Sequence, residues 1–351
     1  MSRIRIAVVG LGMAARPHFL ALTALQDEVE LAGVYSRTLE TTEARAARLG
    51  CKAYTSPQAI AEDPTVDAVL LLTPPNQRVE LVKLFAAAGK HILCEKPLER
   101  DLEAARQIVK ICHKTKVKLG VVFQNRFKPG ALHLKKLMDE NALGDLALVR
   151  ATVPWWRDQA YYDEPGRGTY ERDGGGVLIT QAIHLLDIML DTIGPVAHVQ
   201  ALCGTSRLHD LEAEDFCSAG FEFEGGALGN LLATTATFPS QPESLIIDGT
   251  KGTALLQGEQ LVLHWRDGIE ERIGNPPETG DGTDPMDFSS AWHEALIKDF
   301  AGAIREDRSP NASGGAALEV HALIAALTES SEKGTKLTVP STGFYNKRLS
   351  P

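Results

Sequence analysis

The chain has 351 residues, 44% hydrophobic and 23% charged, with a formal net charge of −10. That length allows two domains and a large core, within the composition range of soluble globular proteins. An acidic balance without a long Lys/Arg run counts against nucleic acid and anionic membrane as partners. The cysteines Cys51, Cys94, Cys112, Cys203 and Cys217 are scattered, odd in number and lack a CxxC pair. They fit reduced thiols in a cytoplasmic protein better than a disulfide framework or a zinc site. The opening MSRIRIAVVGLG reads as a strand, because its apolar run is too short for a signal peptide and soon meets Arg16. No apolar stretch is long enough to span a membrane.

The first third alternates short β-branched runs with helical patterns. Strands are expected at 5–10, 29–36, 67–72, 91–96 and 117–123, and helices at 13–25, 41–49, 77–89 and 102–114. Strands apolar throughout that alternate with helices predict a parallel sheet covered on both faces. After residue 123 the pattern changes. A helix near 129–140 leads to a strand at 146–153, then the apolar stretch GGGVLITQAIHLLD (174–187) reads as a helix. Strand-like runs follow at 197–204, 214–223, 226–238, 244–249, 253–257 and 260–265, separated by Gly pairs and polar turns, which predicts an antiparallel sheet. RIGNPPETGDGTDP (272–285) reads as a long loop, and helices close the chain near 290–305 and 315–332. The expected fold is α/β. A Rossmann dinucleotide-binding domain over 1–123 precedes a second α/β domain over 124–351.

Gly10-Leu11-Gly12-Met13-Ala14-Ala15 fits G-x-G-x-x-G/A between a strand and a helix, the context in which that pattern means a dinucleotide. Gly10 makes the tight turn, Gly12 lets backbone approach the pyrophosphate, and Ala15 lets the helix pack on the strand. The helix N-terminus supplies N–H groups to the phosphates, and Met13 and Ala14 belong to the same loop. The second strand ends in Ser36-Arg37-Thr38 where an acid would bind the ribose of NAD. A hydroxyl followed by Arg suits a 2′-phosphate, so NADP is favoured over NAD. Lys96, in Glu95-Lys96-Pro97, stands where a parallel strand ends and ligands bind. A partly desolvated Lys there suits acid/base work.

GLGMAA, TPPNQ (73–77), CEKPL (94–98) and GGG-x-L-x-x-Q-x-x-H-x-x-D together resemble the Gfo/Idh/MocA family of nicotinamide-dependent oxidoreductases. The likeness extends through VFQNRF (122–127), the EDFCSAGFEFEGGALGNL strand pair, DGTKGTALLQG and HEALIKDFAGAIREDRSP. The resemblance implies a C-terminal domain with an open, mainly antiparallel sheet that often mediates homodimer or homotetramer contacts. It implies that Lys96 sits near the nicotinamide and the reacting hydroxyl, and that His184 is the general acid/base. Thr73, Pro74, Asn76 and Glu95 join the cofactor site on the same ground. Implied substrates are sugars, cyclitols and their derivatives. The chain departs from the family at Thr180, where many members carry Asp; Thr180 can hydrogen-bond a hydroxyl but takes no proton at neutral pH.

Thr180, Gln181 and His184 are expected to face the cleft, Asp187 to orient His184 or nearby backbone, and Gly174 to Gly176 to keep side chains away from cofactor and substrate. In VPWWRDQAYYDEPGRGTYERD (153–173), Trp156, Arg157, Tyr161 and Tyr162 suit a sugar pocket, and equally suit domain packing or an oligomer contact. Arg157 can hold a carboxylate or phosphate. Asn125 and Arg126 follow a strand and read either as cofactor or substrate contacts or, for Arg126, as structural. His209, Asp210, Glu212, Glu214 and Asp215 lack a known ligand spacing and read as a solvated turn, so no metal is expected. The chain thus reads as an NAD(P)-dependent sugar or polyol oxidoreductase. A non-catalytic NAD(P)-binding regulator and a glycoside hydrolase that uses NAD transiently are the alternatives.

Overall fold

The structure is a computed structural model that describes residues 3–12, 14–276 and 290–343. It divides into two compact units. One comprises the chain to Glu99, Glu103–Gln124 and a returning segment that ends at Ala317; the other comprises Arg100–Leu102, the chain from Asn125, and everything from Leu318 on.

In the first unit, β1 (Ile4–Val9), β2 (Val29–Tyr35), β3 (Lys52–Ala53), β4 (Ala68–Leu71), β5 (His91–Cys94) and β6 (Leu119–Val121) form one sheet. Its order is β3-β2-β1-β4-β5-β6 and every pairing is parallel. The crossovers are α1 (Ala15–Ala24), α2 (Leu39–Leu49), α3 (Pro57–Ala61), α4 (Arg78–Ala87) and α5 (Leu102–Thr115). This is the doubly wound dinucleotide-binding order, whose switch point lies between β1 and β4. Sheet residues such as Ala7, Val8, Val69, Leu70 and Ile92 are fully buried, as the unbroken apolar runs require. β3 and α3 were not expected; two residues and five residues are too short to leave a periodic signal.

The second unit holds α6 (Pro129–Asp139), β7 (Leu146–Pro154), α7 (Gln159–Tyr162), a π-helical turn (Leu178–Ala182) and α8 (Ile183–Ile193). Then come β8 (Val196–Gly204), β9 (Phe216–Phe223), β10 (Leu228–Thr234), β11 (Ser244–Gly249), β12 (Gly252–Gln257), β13 (Gln260–Trp265) and β14 (Glu270–Ile273). α9 (Ala291–Arg305) follows, then α10 (Gly314–Lys333) and β15 (Leu337–Thr338). The sheet runs β14-β13-β12-β11-β7-β10-β9-β8-β15, antiparallel throughout except for β10 beside β7. α8 is buried on nearly all sides, which is why its sequence is apolar around the whole helix.

Two expectations change. A cut at residues 123 and 124 leaves the C-terminal segment with the second domain, whereas the contacts return α9 to the first unit. There Phe300 and Leu93 crowd Gly120 at 2.9 and 3.0 Å from where a Cβ would stand. Lys298 and Arg305 pair with Glu28 beside β2. The expected loop over 272–285 begins inside β14, and its residues 277–285 lie outside the described residues.

Candidate functional site

In the first unit the phosphate-type loop follows β1. Gly10 has φ +104°, and a Cβ there would lie 2.9 Å from the Leu72 carbonyl carbon at the end of β4. Only glycine fits that turn. At Gly12 an added Cβ would meet nothing within 4 Å, so the backbone there borders open space. α1 starts beside it with no side-chain cap and no acid in its first turn. Its positive dipole end therefore faces no competing acid and remains available to an anion, while the Ala15 amide is already bonded to the Gly12 carbonyl at 3.1 Å. Ala15 is buried under the helix. These features fit a dinucleotide. Met13 lies outside the described residues.

At the end of β2 the Ser36 hydroxyl turns inward, donating to the Thr38 carbonyl at 3.0 Å and meeting the Thr42 hydroxyl at 3.0 Å. It caps α2. Arg37 is exposed, and its guanidinium makes no ion pair among the described residues.

The loops after β4 and β5 are held by one buried residue that the sequence reading missed. Arg78 donates to the Thr73 carbonyl from Nε (3.1 Å) and Nη2 (2.8 Å), and from Nη1 to the carbonyls of Glu95 and Pro97. It thereby ties the segment of Thr73, Pro74 and Asn76 to that of Glu95 and Lys96. Glu95 spreads its carboxylate between two neighbours. Oε1 meets His18 Nε2 at 2.9 Å, and Oε2 accepts from the Lys96 amide at 2.9 Å. His18 is fully buried and stacks edge-on against His293 of α9, centroids 4.8 Å apart. Burial alone would raise the Glu95 carboxyl; the His18 hydrogen bond and the charges of His18, Lys96 and His293 outweigh it and hold the group below its ordinary value. Burial, with the His18 charge, pushes the His293 imidazole down to about 4, against the pull of Glu95. Three side chains from distant sequence positions make this cluster, and no local spacing announces it.

In the second unit GGGVLITQAIHLLD departs from a plain α-helix. Leu178–Ala182 make a π-helical turn before α8, a feature that recurs at functional sites. Thr180 Oγ1 donates to the Gly176 carbonyl at 2.5 Å and to the Gln181 side chain, whose Nε2 donates to the Tyr161 hydroxyl at 3.3 Å. His184 is buried one turn later. The two oxygens of Asp187 accept from Arg126 Nε and Nη2, each at 2.6 Å, and Arg126 Nη1 meets Asp191 at 2.7 Å. Arg126 and Asp187 thus form a buried ion pair beside the buried Asn125.

The glycines also read differently. A Cβ on Gly176 would stand 1.7 Å from the Glu214 carbonyl oxygen, and one on Gly174 would stand 2.5 Å from Arg100 Cα. Close protein packing demands these glycines, not room for a ligand. Glu214, taken for part of a solvated turn, is buried and accepts from the Gly176 and Leu178 amides at 3.0 Å each. Burial pushes its carboxyl up, while those amides work in the opposite direction. His209 is no turn residue either. Nδ1 meets Asp215 Oδ2 at 2.7 Å and Nε2 meets the Arg157 carbonyl at 2.8 Å. Trp156 packs against His209 and Phe238, centroids 5.7 and 5.5 Å away. Arg157 lies against the rings of Trp155 and Tyr161 at 5.4 and 5.5 Å.

Residues 4–123 match the family described as "Oxidoreductase family, NAD-binding Rossmann fold", and residues 131–255 match the GFO/IDH/MocA C-terminal domain. The chain belongs to the Gfo/Idh/MocA oxidoreductase family. It is 26% identical to an inositol 2-dehydrogenase of Rhizobium meliloti (strain 1021) over 96% of this chain and 99% of the relative. It is 30% identical to a myo-inositol 2-dehydrogenase of Thermotoga maritima, over 71% and 74% of the two chains. Among solved structures it superposes with a TM-score of 0.83 on the WlbA dehydrogenase from Bordetella pertussis in complex with NADH and UDP-GlcNAcA. That match has 29% identity and covers 97% of this chain and 100% of the other.

For this Gfo/Idh/MocA chain the two kinds of glycine make opposite forecasts. Gly176→Ala destabilises the protein by at least about 3 kcal/mol in urea unfolding, because the Glu214 backbone cannot yield. Gly12→Ala changes stability by about 0.5 kcal/mol or less but weakens NADH binding in a fluorescence titration. His293 sets a pH dependence. Its folded value of about 4 lies below the ordinary 6.5, so as pH falls the unfolded chain takes the proton first. Stability is full above pH 6.5 and is lost down to about pH 4, at most about 3 kcal/mol. Urea midpoints at pH 7 and 4.5 should differ less in His293→Phe than in the natural chain.

Proposed function

We propose that this oxidoreductase is an NAD(P)-dependent dehydrogenase or reductase. It interconverts a secondary hydroxyl and a ketone on a sugar, a cyclitol or a derivative of one, with Lys96 and His184 as catalytic residues. What supports this most is Lys96 at the carboxyl end of β5, next but one in the sheet to the Gly10 loop, on a backbone fixed by Arg78 and Glu95. Ligands bind beyond the carboxyl ends of such strands. The inositol dehydrogenases among its relatives point to the same substrate class.

The cofactor is held by Gly10, Gly12 and Ala14 at its phosphates and by Thr73, Pro74, Asn76, Glu95 and Lys96 toward its nicotinamide, with Asn125 and Arg126 contributing position. When bound, the nicotinamide supplies two-electron oxidation or reduction at the substrate carbon. Lys96 donates a hydrogen bond to the substrate oxygen and stabilises its developing negative charge. His184 takes the hydroxyl proton in the oxidative direction and returns it in the reductive one. Thr180, Gln181, Trp156, Arg157 and Tyr161 orient the ring, since reaction depends on close positioning. Arg37, exposed where an acid would stand, favours NADP, with Ser36 shaping the turn. The protein works in the cytoplasm as a homodimer or homotetramer. In support, Leu148 and Leu228 are exposed side by side in register on β7 and β10.

Lys96→Ala and His184→Ala should each lower turnover by a factor of about 100 to 10,000 while NADH binding stays nearly intact. Normal turnover in both variants would remove the catalytic roles. Arg37→Asp should move the NADP-to-NAD ratio of kcat/KM toward NAD; an unchanged ratio would take Arg37 out of the cofactor site.

A further inference from the structure

We propose that Cys203 and Cys217 are a redox-modification site: an oxidant of the peroxide class joins them in a cross-strand disulfide, and a thiol such as glutathione parts them again. The bond closes the segment 204–216, whose side chains hold the helical turn that precedes His184. The site lies wholly within the second unit.

Cys203 of β8 and Cys217 of β9 stand directly opposite in the antiparallel register, so their side chains share one face of the sheet. Both are free thiols; Cys217 is buried and Cys203 half-buried. The backbone of Cys203 shows which kind of pair this is. Its amide donates to Ser331 Oγ of α10 at 2.7 Å, and its carbonyl accepts from the same hydroxyl at 3.4 Å. Both groups therefore turn away from β9, which makes Cys203 and Cys217 a non-hydrogen-bonded pair. The Cα atoms of such a pair lie about 4.5 Å apart, with side chains closer than at the alternate positions. A disulfide takes Cα separations of roughly 4.4 to 6.8 Å, so the strands need not part or slide to admit one. A disulfide that solvent partly reaches is also the labile kind.

The two thiols divide the work. A hydrogen bond from Cys217, helped by Ser331, holds the Cys203 thiol below its ordinary value against burial and the charges of Glu214 and Glu332. Burial pushes Cys51, Cys94 and Cys112 the other way. Cys203 is therefore the thiolate that attacks. Its sulfur bonds one peroxide oxygen, the O–O bond breaks, and the other oxygen leaves as hydroxide, which takes up the proton the thiol lost. The Cys217 sulfur then attacks the sulfenic sulfur. The S–S bond forms, the S–O bond breaks, and the departing hydroxyl takes the Cys217 proton. Two thiols have lost two electrons and two protons, and the peroxide has become two waters. Two glutathione thiols reverse the change and end as glutathione disulfide. The segment so closed carries His209, bonded to Asp215 and to the Arg157 carbonyl, and Glu214, which accepts from the Gly176 and Leu178 amides. Closing it removes freedom from the unfolded chain, so the Glu214 cap opens less often once the bond has formed.

The test treats the reduced full chain with a small excess of hydrogen peroxide and maps its peptides by mass spectrometry without reductant. The peptide of Cys203 should appear joined to that of Cys217 within one chain, and excess glutathione should restore both thiols. Cys203→Ser and Cys217→Ala should each abolish the link; the first replaces the half-buried partner, so it keeps the test open where the second fails to fold. The oxidised chain should show a urea midpoint higher by about 0.5 M or more. Its Gly176 and Leu178 amides should exchange hydrogen about threefold more slowly or better. Neither change should follow peroxide treatment of Cys203→Ser. The inference is overturned by oxidation that reaches Cys51, Cys94 or Cys112 first, by Cys203 going on to sulfinic acid unlinked, by a link between two chains, or by a link that glutathione cannot reverse. A linked chain whose urea midpoint and amide exchange match those of the reduced one overturns the clamp on Glu214.

Discussion

The contact on which the second unit's chemistry depends is the approach of Gly176 to the backbone of Glu214. No side chain fits between them. With the backbones that close, the Glu214 carboxylate reaches two amides at the start of the helical segment and replaces partners the first turn lacks. The π-helical turn follows directly, so Thr180 and Gln181 are delivered at a fixed distance from a fixed start. Were the approach looser, the cap would be lost, and with it the reason for Thr180 to return to the Gly176 carbonyl. The apolar faces of α8 then bury the rest, and Arg126 and Asp187 satisfy each other inside that core.

The first unit solves the same problem with charge. A parallel sheet leaves its loops at the carboxyl ends without ladder partners, so something must fix their carbonyls. Arg78 does so for the loops after β4 and β5 with one guanidinium. Glu95 adds the Lys96 amide and ties it to His18 of α1. His293 closes the cluster from α9, which explains why a helix almost two hundred residues downstream belongs to this unit. Lys96 is therefore held through its backbone.

Much of this was legible in the sequence. Long apolar runs alternating with amphipathic stretches marked five of the six parallel strands and the antiparallel set, because burial on both faces or one face leaves a periodic trace. The phosphate loop was legible because Gly10 and Gly12 obey local rules of backbone conformation. β3 and α3 were not, being too short to show a period, and β14 was not because its sequence, EERI, carries no apolar run. The π-helical turn leaves no mark in the sequence, because Thr180 and Gln181 among apolar neighbours fit an ordinary helical register as well. Helical spacing relates Asp187 to His184, but it cannot show the ion pair that Asp187 makes with Arg126 from sixty-one residues away. Glu214 and His209 read as turn residues because they sit among acids, and only the fold shows that Glu214 and Asp215 are already bonded.

Those misreadings share one cause. A sequence lists charges but not their pairings, and among the described residues nearly every buried charge is spent on another group: Arg78 on carbonyls, Arg126 on two aspartates, Glu95 on His18, Asp215 on His209. Burying a charge without a partner is among the most expensive things a fold can do, so these pairings between distant positions are part of what fixes both units.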